Sequence, residues 1–215
     1  MTKTCRMAPR YPGFDVLAKW SSADFDDPTR EVVRRRVEEV PPLRFFTAEE
    51  AATLQAVADR IVPQEDRAAG ERIPIVPWID QKLARDERDG FRDEQLPPQR
   101  ETWRQALTGL DQAAELLHAA PFAKLGPSER DALVDRLAGG EMPGEIWATL
   151  PAKLFFGQLL QLVVRTYYAH PTAWSEVGYN GPSAIRGHVR VWAGGVDPWE
   201  AHEAEAHEAG KPRHG

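Results

Sequence analysis

The side chains from which chemistry could be built are six histidines, one cysteine and scattered serines and carboxylates. Their spacing argues against most of it. His202 and His207 lie five residues apart in the tail HEAEAHEAGKPRHG. A helical H-E-x-x-H zinc site needs four-residue spacing to put both imidazoles on one face, whereas five residues turn the second ring roughly 140° away. With no second cysteine and no compact histidine cluster, a solvated tail is the expectation. His170 stands between Tyr168 and Pro171, where an apolar run ends. As a general base it needs an acid or nucleophile within reach, and Glu176 is the close carboxylate in sequence. The simpler reading is a histidine hydrogen-bonding the carbonyls of a helix C-terminus. Ser128 and Ser175 lack the G-x-S-x-G context of a nucleophile elbow. Neither a G-x-G-x-x-G fingerprint nor a P-loop occurs. The expectation is a chain without catalytic, cofactor-binding or metal-binding residues.

What the sequence does concentrate is aromatic surface. Lys153–Gly181 reads KLFFGQLLQLVVRTYYAHPTAWSEVGYNG. In its first half Phe155, Phe156, Leu159, Leu160, Leu162, Val163 and Val164 cover nearly every face of a helix, which predicts a helix buried on all sides. About twelve apolar-rich residues fall short of the ~20 needed to span a bilayer. In the second half, Tyr167, Tyr168, His170, Trp174 and Tyr179 sit among turn residues Gly178, Gly181 and Pro182. Seven tryptophans are many for this length. Trp78 and Trp103 fall on apolar stripes and read as core. Trp174, Trp192 and Trp199 fall in loop or strap, where a ring either locks its own loop or meets a partner. Tyr167, Tyr168, His170, Trp174, Tyr179, Trp192 and Trp199 are therefore the candidate partner-binding residues.

The elements that must position this stretch are helical. Residues 1–44 read as a polar, Pro-marked arm with one helix over 28–40, Asp27 as its N-cap, Pro28 at N1, and a weak stripe of Val32, Val33, Val37 and Val40. The ordered domain, 45–200, opens at Phe45-Phe46. Thr47 and Glu50 fit a capping box for a helix carrying Leu54, Val57, Ala58 and Ile61. Ile73–Val76 reads as extended, and Pro77 opens a short helix with Trp78, Ile79 and Leu83 inward. Behind Pro97-Pro98, Trp103, Leu107, Leu110, Ala114 and Leu117 repeat at helical spacing. Pro127 starts a further helix, closed by Gly139-Gly140. Gly187–Trp199 reads as an extended strap and 201–215 as a flexible tail. The fold class is all-α: a compact, bundle-like domain of five to six helices with an N-terminal arm and a C-terminal strap.

Composition narrows the partners. A net charge of −6 and a pI near 5.6 leave nothing to track a phosphate backbone, so nucleic acid is excluded as an expectation. The lone Cys5 cannot form a disulfide framework. MTKTCRMAPRYPGFDV has no apolar segment of the secretory kind, and Arg34-Arg35-Arg36 is followed by acidic, Pro-broken text rather than an apolar run. A cytoplasmic location is expected, periplasmic only if a partner carries the chain.

Three stretches, FFTAEEAATLQAVADRIVPQ, IPIVPWIDQKL and FFGQLLQLVVRTYYAHPTAWSEVGYNGP, together resemble the gluconate 2-dehydrogenase subunit 3 family over roughly Phe45–Trp199. YPGFDVLAKW is similar to a branch of that family. The resemblance implies a small subunit without a cofactor of its own. Its partner would be a large flavin-dependent dehydrogenase of the glucose–methanol–choline class that carries FAD, and a cytochrome subunit is a further member the resemblance allows. The implied role is to bind, stabilise or mature that flavoprotein. The alternative is a self-contained enzyme or small-ligand binder with a pocket near the aromatic loop 167–182.

Overall fold

The computed structural model describes residues 10–88, 90, 93–182, 187, 195, 197 and 199–204. Among these are no strands and eight α-helices: α1 (Asp27–Glu38), α2 (Ala48–Ile61), α3 (Ile75–Ala84), α4 (Gln99–His118), α5 (Pro127–Gly139), α6 (Glu145–Thr149), α7 (Ala152–Tyr168) and α8 (Pro171–Trp174). The all-α, bundle-like expectation holds. Six of the helices have ten residues or more; α6 and α8 are single turns that sequence periodicity is too short to register. The chain forms two compact units, 40–168 and a second built from 1–39 with 169–215. These divisions fall at other points than the sequence punctuation at 44/45 and 200/201.

Unit 40–168 is the helical bundle. α7 packs against α2, α3, α4 and α5, and α6 packs on α4. Trp103 of α4 is fully buried at its centre, edge-on to Phe155 of α7 at 5.5 Å and near Phe46 at 6.3 Å. The capping box of α2 is formed as its sequence demands: Thr47 Oγ1 accepts from Glu50 N, and Glu50 Oε2 accepts from Thr47 N. Asp80 of α3 is buried, and its carboxylate accepts the backbone N–H groups of Arg44, Phe45 and Phe46 at 2.7, 2.9 and 2.8 Å. That triple bond fixes the chain entering α2. Arg104 donates to Phe45 O at 2.7 Å from the other side. Gly109 is needed because the Trp147 ring lies where a Cβ would stand, 2.9 Å away, while Trp147 Nε1 donates to Gly109 O.

Several sequence expectations are corrected here. Ile75 and Val76 belong to α3 rather than to an extended segment, because a proline in the first turn needs no N–H there. α1 is capped by Asp26, with Asp27 at N1 and Pro28 at N2. Leu117 is 44% exposed, in the last turn of α4 beyond Ala114, the last buried residue of that stripe. α7 is not buried all round. Phe155, Leu159, Leu162 and Val163 are buried, but Leu160 is 39% exposed, and Lys153, Gly157 and Gln161 share its open side.

The second unit is small. A 3-10 turn, Val16–Lys19, packs on α8, which also meets α1. Val16, Phe25, Val33 and Ala173 form its core. Val16 N donates to Ser175 Oγ at 3.1 Å, tying the two ends of the chain together. The Arg30 guanidinium gathers the carbonyls of Trp20, Ser22 and Phe25. Lys19 Nζ does the same for Asn180 O and Trp199 O, and Arg10 pairs with Glu203 at 2.6 Å.

Candidate functional site

The stretch expected to be a turn-rich loop is largely helical. His170 leaves the extended region as an N-cap, and its Nδ1 accepts from Thr172 N at 3.3 Å. Pro171 follows at the first helical position, where its missing N–H costs nothing. The single turn of α8 runs directly into a 3-10 turn, Ser175–Val177. Gly178 ends it at φ +68°, and the Tyr11 ring sits 2.6 Å from where a Cβ would project. Only glycine satisfies both conditions. The chain then folds back: Tyr179 N donates to Trp174 O at 2.9 Å, and the Tyr179 ring stands edge-on to Trp174 at 5.3 Å and 80°.

This geometry gives His170 a role different from the one expected. It is buried and serves the start of α8 rather than the carbonyls of the preceding helix. Trp174 is half-buried and Tyr179 is 47% exposed, so the pair is anchored on one edge and open on the other. Trp174, Ala169, Pro171 and Pro182 form one wall of a groove of about 450 Å³, and Pro28, Val32, Val33 and Arg36 of α1 form the opposite wall. Arg36 spans the groove's end by donating to Ala169 O at 3.3 Å. Val32 is 61% exposed beside it.

The other candidates fall elsewhere. Tyr167 and Tyr168 lie in the other compact unit, edge-on to each other at 5.0 Å, with Tyr167 buried and Tyr168 exposed. Trp199 lends its carbonyl to Lys19. Trp192 lies outside the described residues, as does most of the expected strap, Gly187–Trp199. The structure thus brings together Trp174, Tyr179 and the supporting His170. Sequence reasoning missed the part played by Val32. Its signal was the valine stripe of α1, which Val33 splits by turning inward while Val32 and Val37 face out.

Charge on α1 is tightly self-paired. Arg34 bonds Glu31 and Glu38, and Arg35 bonds Glu31. Hydrogen bonds from Arg34 and then Arg35 lower the Glu31 carboxyl to about 2. Hydrogen bonding by Thr29 likewise lowers Asp26, the N-cap. The arrangement suits a groove that takes mainly apolar groups: Pro, Val, Ala and Trp make up most of its walls beside Thr29 and Arg36, Arg36 donates to Ala169 O, and Arg34 and Arg35 are matched by Glu31 and Glu38. Among the described residues no group of three or more His, Cys, Asp or Glu side chains is placed to hold a metal ion, and no helix is long and apolar enough to cross a membrane.

Comparison with curated proteins and with solved structures gave no match. The family described as gluconate 2-dehydrogenase subunit 3 matches residues 48–181, from the first turn of α2 to the end of the Trp174–Tyr179 segment, and the chain belongs to that family, which is named for one subunit of a dehydrogenase complex.

Proposed function

We propose that this protein is an accessory, non-catalytic subunit that binds and stabilises or matures a flavin-dependent sugar or alcohol dehydrogenase. The single observation that carries the reading is the family match over 48–181. The groove supports it: a half-buried tryptophan and an exposed tyrosine, locked together and bordered by exposed Val32, are the residue types that dominate interface energetics. In this reading Trp174, Tyr179 and Val32 meet the large subunit, and FAD resides in that partner. Co-expression with a flavin-dependent dehydrogenase large subunit from the same genome tests the proposal. The expected result is a stoichiometric complex in which the flavin spectrum follows the large subunit, and the yield of soluble flavoprotein falls when this chain is omitted. A large subunit equally soluble and active alone, with no co-purification, overturns it.

A further inference from the structure

Leu116 is the most exposed large apolar side chain among the described residues, at 67%. It stands on the outward face of α4, where Thr108, Gln112 and Glu115 share its side at helical spacing and are exposed as well. This face forms one wall of a groove of about 860 Å³ within unit 40–168. Thr47, Glu49 and Glu50 at the start of α2 form a second wall, and Gly144 with Glu145 at the start of α6 form a third. Leu116 leans over the third: its Cδ1 lies 4.0 Å from where a Cβ on Gly144 would stand.

The lining holds five carboxylates and no lysine or arginine. Two of the five are engaged: Glu50 caps α2 and takes Arg104 at 3.3 Å, and Asp111 accepts from Thr53 Oγ1 and Phe122 N. Glu49, Glu115 and Glu145 form no ion pair among the described residues. Helix dipoles do not balance them. Glu49 and Glu145 lie in first turns, where the dipole favours a carboxylate, but a helix end is worth about half a charge and that of α2 already faces Glu50. Glu115 lies in the last turn of α4, where the dipole opposes it. The groove thus sets an exposed leucine among uncompensated negative charge. That combination repels an anionic lipid surface or a nucleic acid, and among the described residues no three acidic side chains are placed to hold a metal ion. It matches a polypeptide that is both basic and aliphatic.

We infer that this groove docks a basic segment of a protein partner, which lays a leucine or isoleucine side chain on Leu116 and sets lysine or arginine against Glu49, Glu115 and Glu145. Charge complementarity names the occupant, and the aliphatic contact gives it a fixed place to lie. The surface is separate from the Trp174 groove and does not rest on the dehydrogenase reading. The test uses the full chain labelled with ¹⁵N and three short blocked peptides. The first carries leucine and lysine at helical spacing, the second has glutamate in place of lysine, and the third has serine in place of leucine. The first should shift the amide resonances of Thr108, Gln112 and Leu116 saturably, and the other two should bind at least about tenfold more weakly. Combining Glu49→Gln, Glu115→Gln and Glu145→Gln should weaken the first peptide by about tenfold, and Leu116→Ser should do the same. All four positions are exposed, so the melting temperature of both variants should stay near that of wild type. Calcium chloride should leave these resonances unmoved. No response to the first peptide, equal binding of the second or third, or affinity unchanged in both variants overturns the proposal. Saturable calcium shifts at the same residues assign the carboxylates to a cation and overturn it too.

Discussion

Trp174 is held at one edge by its own subunit and open at the other, and this division decides what its removal should do. The Tyr179 ring, the Tyr179 N–H to Trp174 O bond and the N-cap at His170 position it. Trp174→Ala removes the ring contact with Tyr179, while the Tyr179 N–H to Trp174 O bond and the His170 cap are made by atoms the variant keeps. The variant should keep the helical content of wild type and lose about 2 kcal/mol or more of partner affinity, as an interface hot spot would. Melting temperature and affinity measured on the same preparation separate the two roles: a fall in both by equivalent amounts assigns Trp174 to internal packing instead. Glu31 offers a second residue-scale check, with a sign that can be worked out. Its carboxyl is lowered from 4.5 to about 2 by the Arg34 and Arg35 hydrogen bonds. A depressed carboxylate stabilises the fold above its unfolded value and loses that contribution as pH falls from about 4.5 to 2. Because the pair is solvent-exposed, the effect on stability is small and the titration itself is the better readout. The Glu31 side-chain carbon resonance should titrate near 2, and Arg34→Gln should move it back toward 4.5. A midpoint near 4.5 in the wild type means the pairing is not populated.

At the scale of the element, α7 shows how a helix apolar on all faces in sequence is sorted by its neighbours. Leu159 is fully buried against the surrounding helices, whereas Leu160, one residue on and about 100° around the axis, is 39% exposed. Leu159→Ala should therefore cost about 2–5 kcal/mol in denaturant unfolding, and Leu160→Ala about 0.5 kcal/mol or less. Similar costs for both would restore the picture of a helix enclosed on every side. The same contrast explains what was legible in the sequence. Caps and breakers act through the next few residues, so Thr47 with Glu50 placed the start of α2, and Pro127 with Gly139-Gly140 placed both ends of α5. The exposure of Leu117 and Leu160 depends on where other helices end, which no local pattern encodes. His170 read as a helix terminator because α8 is a single turn, too short to show periodicity. The groove wall formed by Val32 was illegible for a related reason: it depends on which distant segment lies opposite.

On the scale of the whole molecule, the two units differ in how their chain is supplied. Unit 40–168 is continuous and contains its own core, from Phe46 and Trp103 to Phe155 and Leu159. It also contains the Asp80 carboxylate and the three N–H groups that bind it. The other unit is assembled from the two chain ends, joined by bonds such as Val16 N to Ser175 Oγ and Ala204 N to Arg10 O, so neither end can complete it alone. The family match, 48–181, spans the whole run from α2 to α7 and continues into the second unit through α8. A fragment of residues 40–168 should therefore be helical and melt cooperatively, because ~130 residues with a closed core suffice for an independent domain. The Trp174 groove lies outside it, so the fragment should fail to capture the dehydrogenase proposed as the partner of the full chain. Circular dichroism melting and co-purification on the same fragment check the two halves of this expectation. A folded fragment that still captures the flavoprotein moves the interface from the Trp174 groove to the helical bundle. A fragment that melts without cooperativity shows that the bundle's core is not closed by residues 40–168 alone.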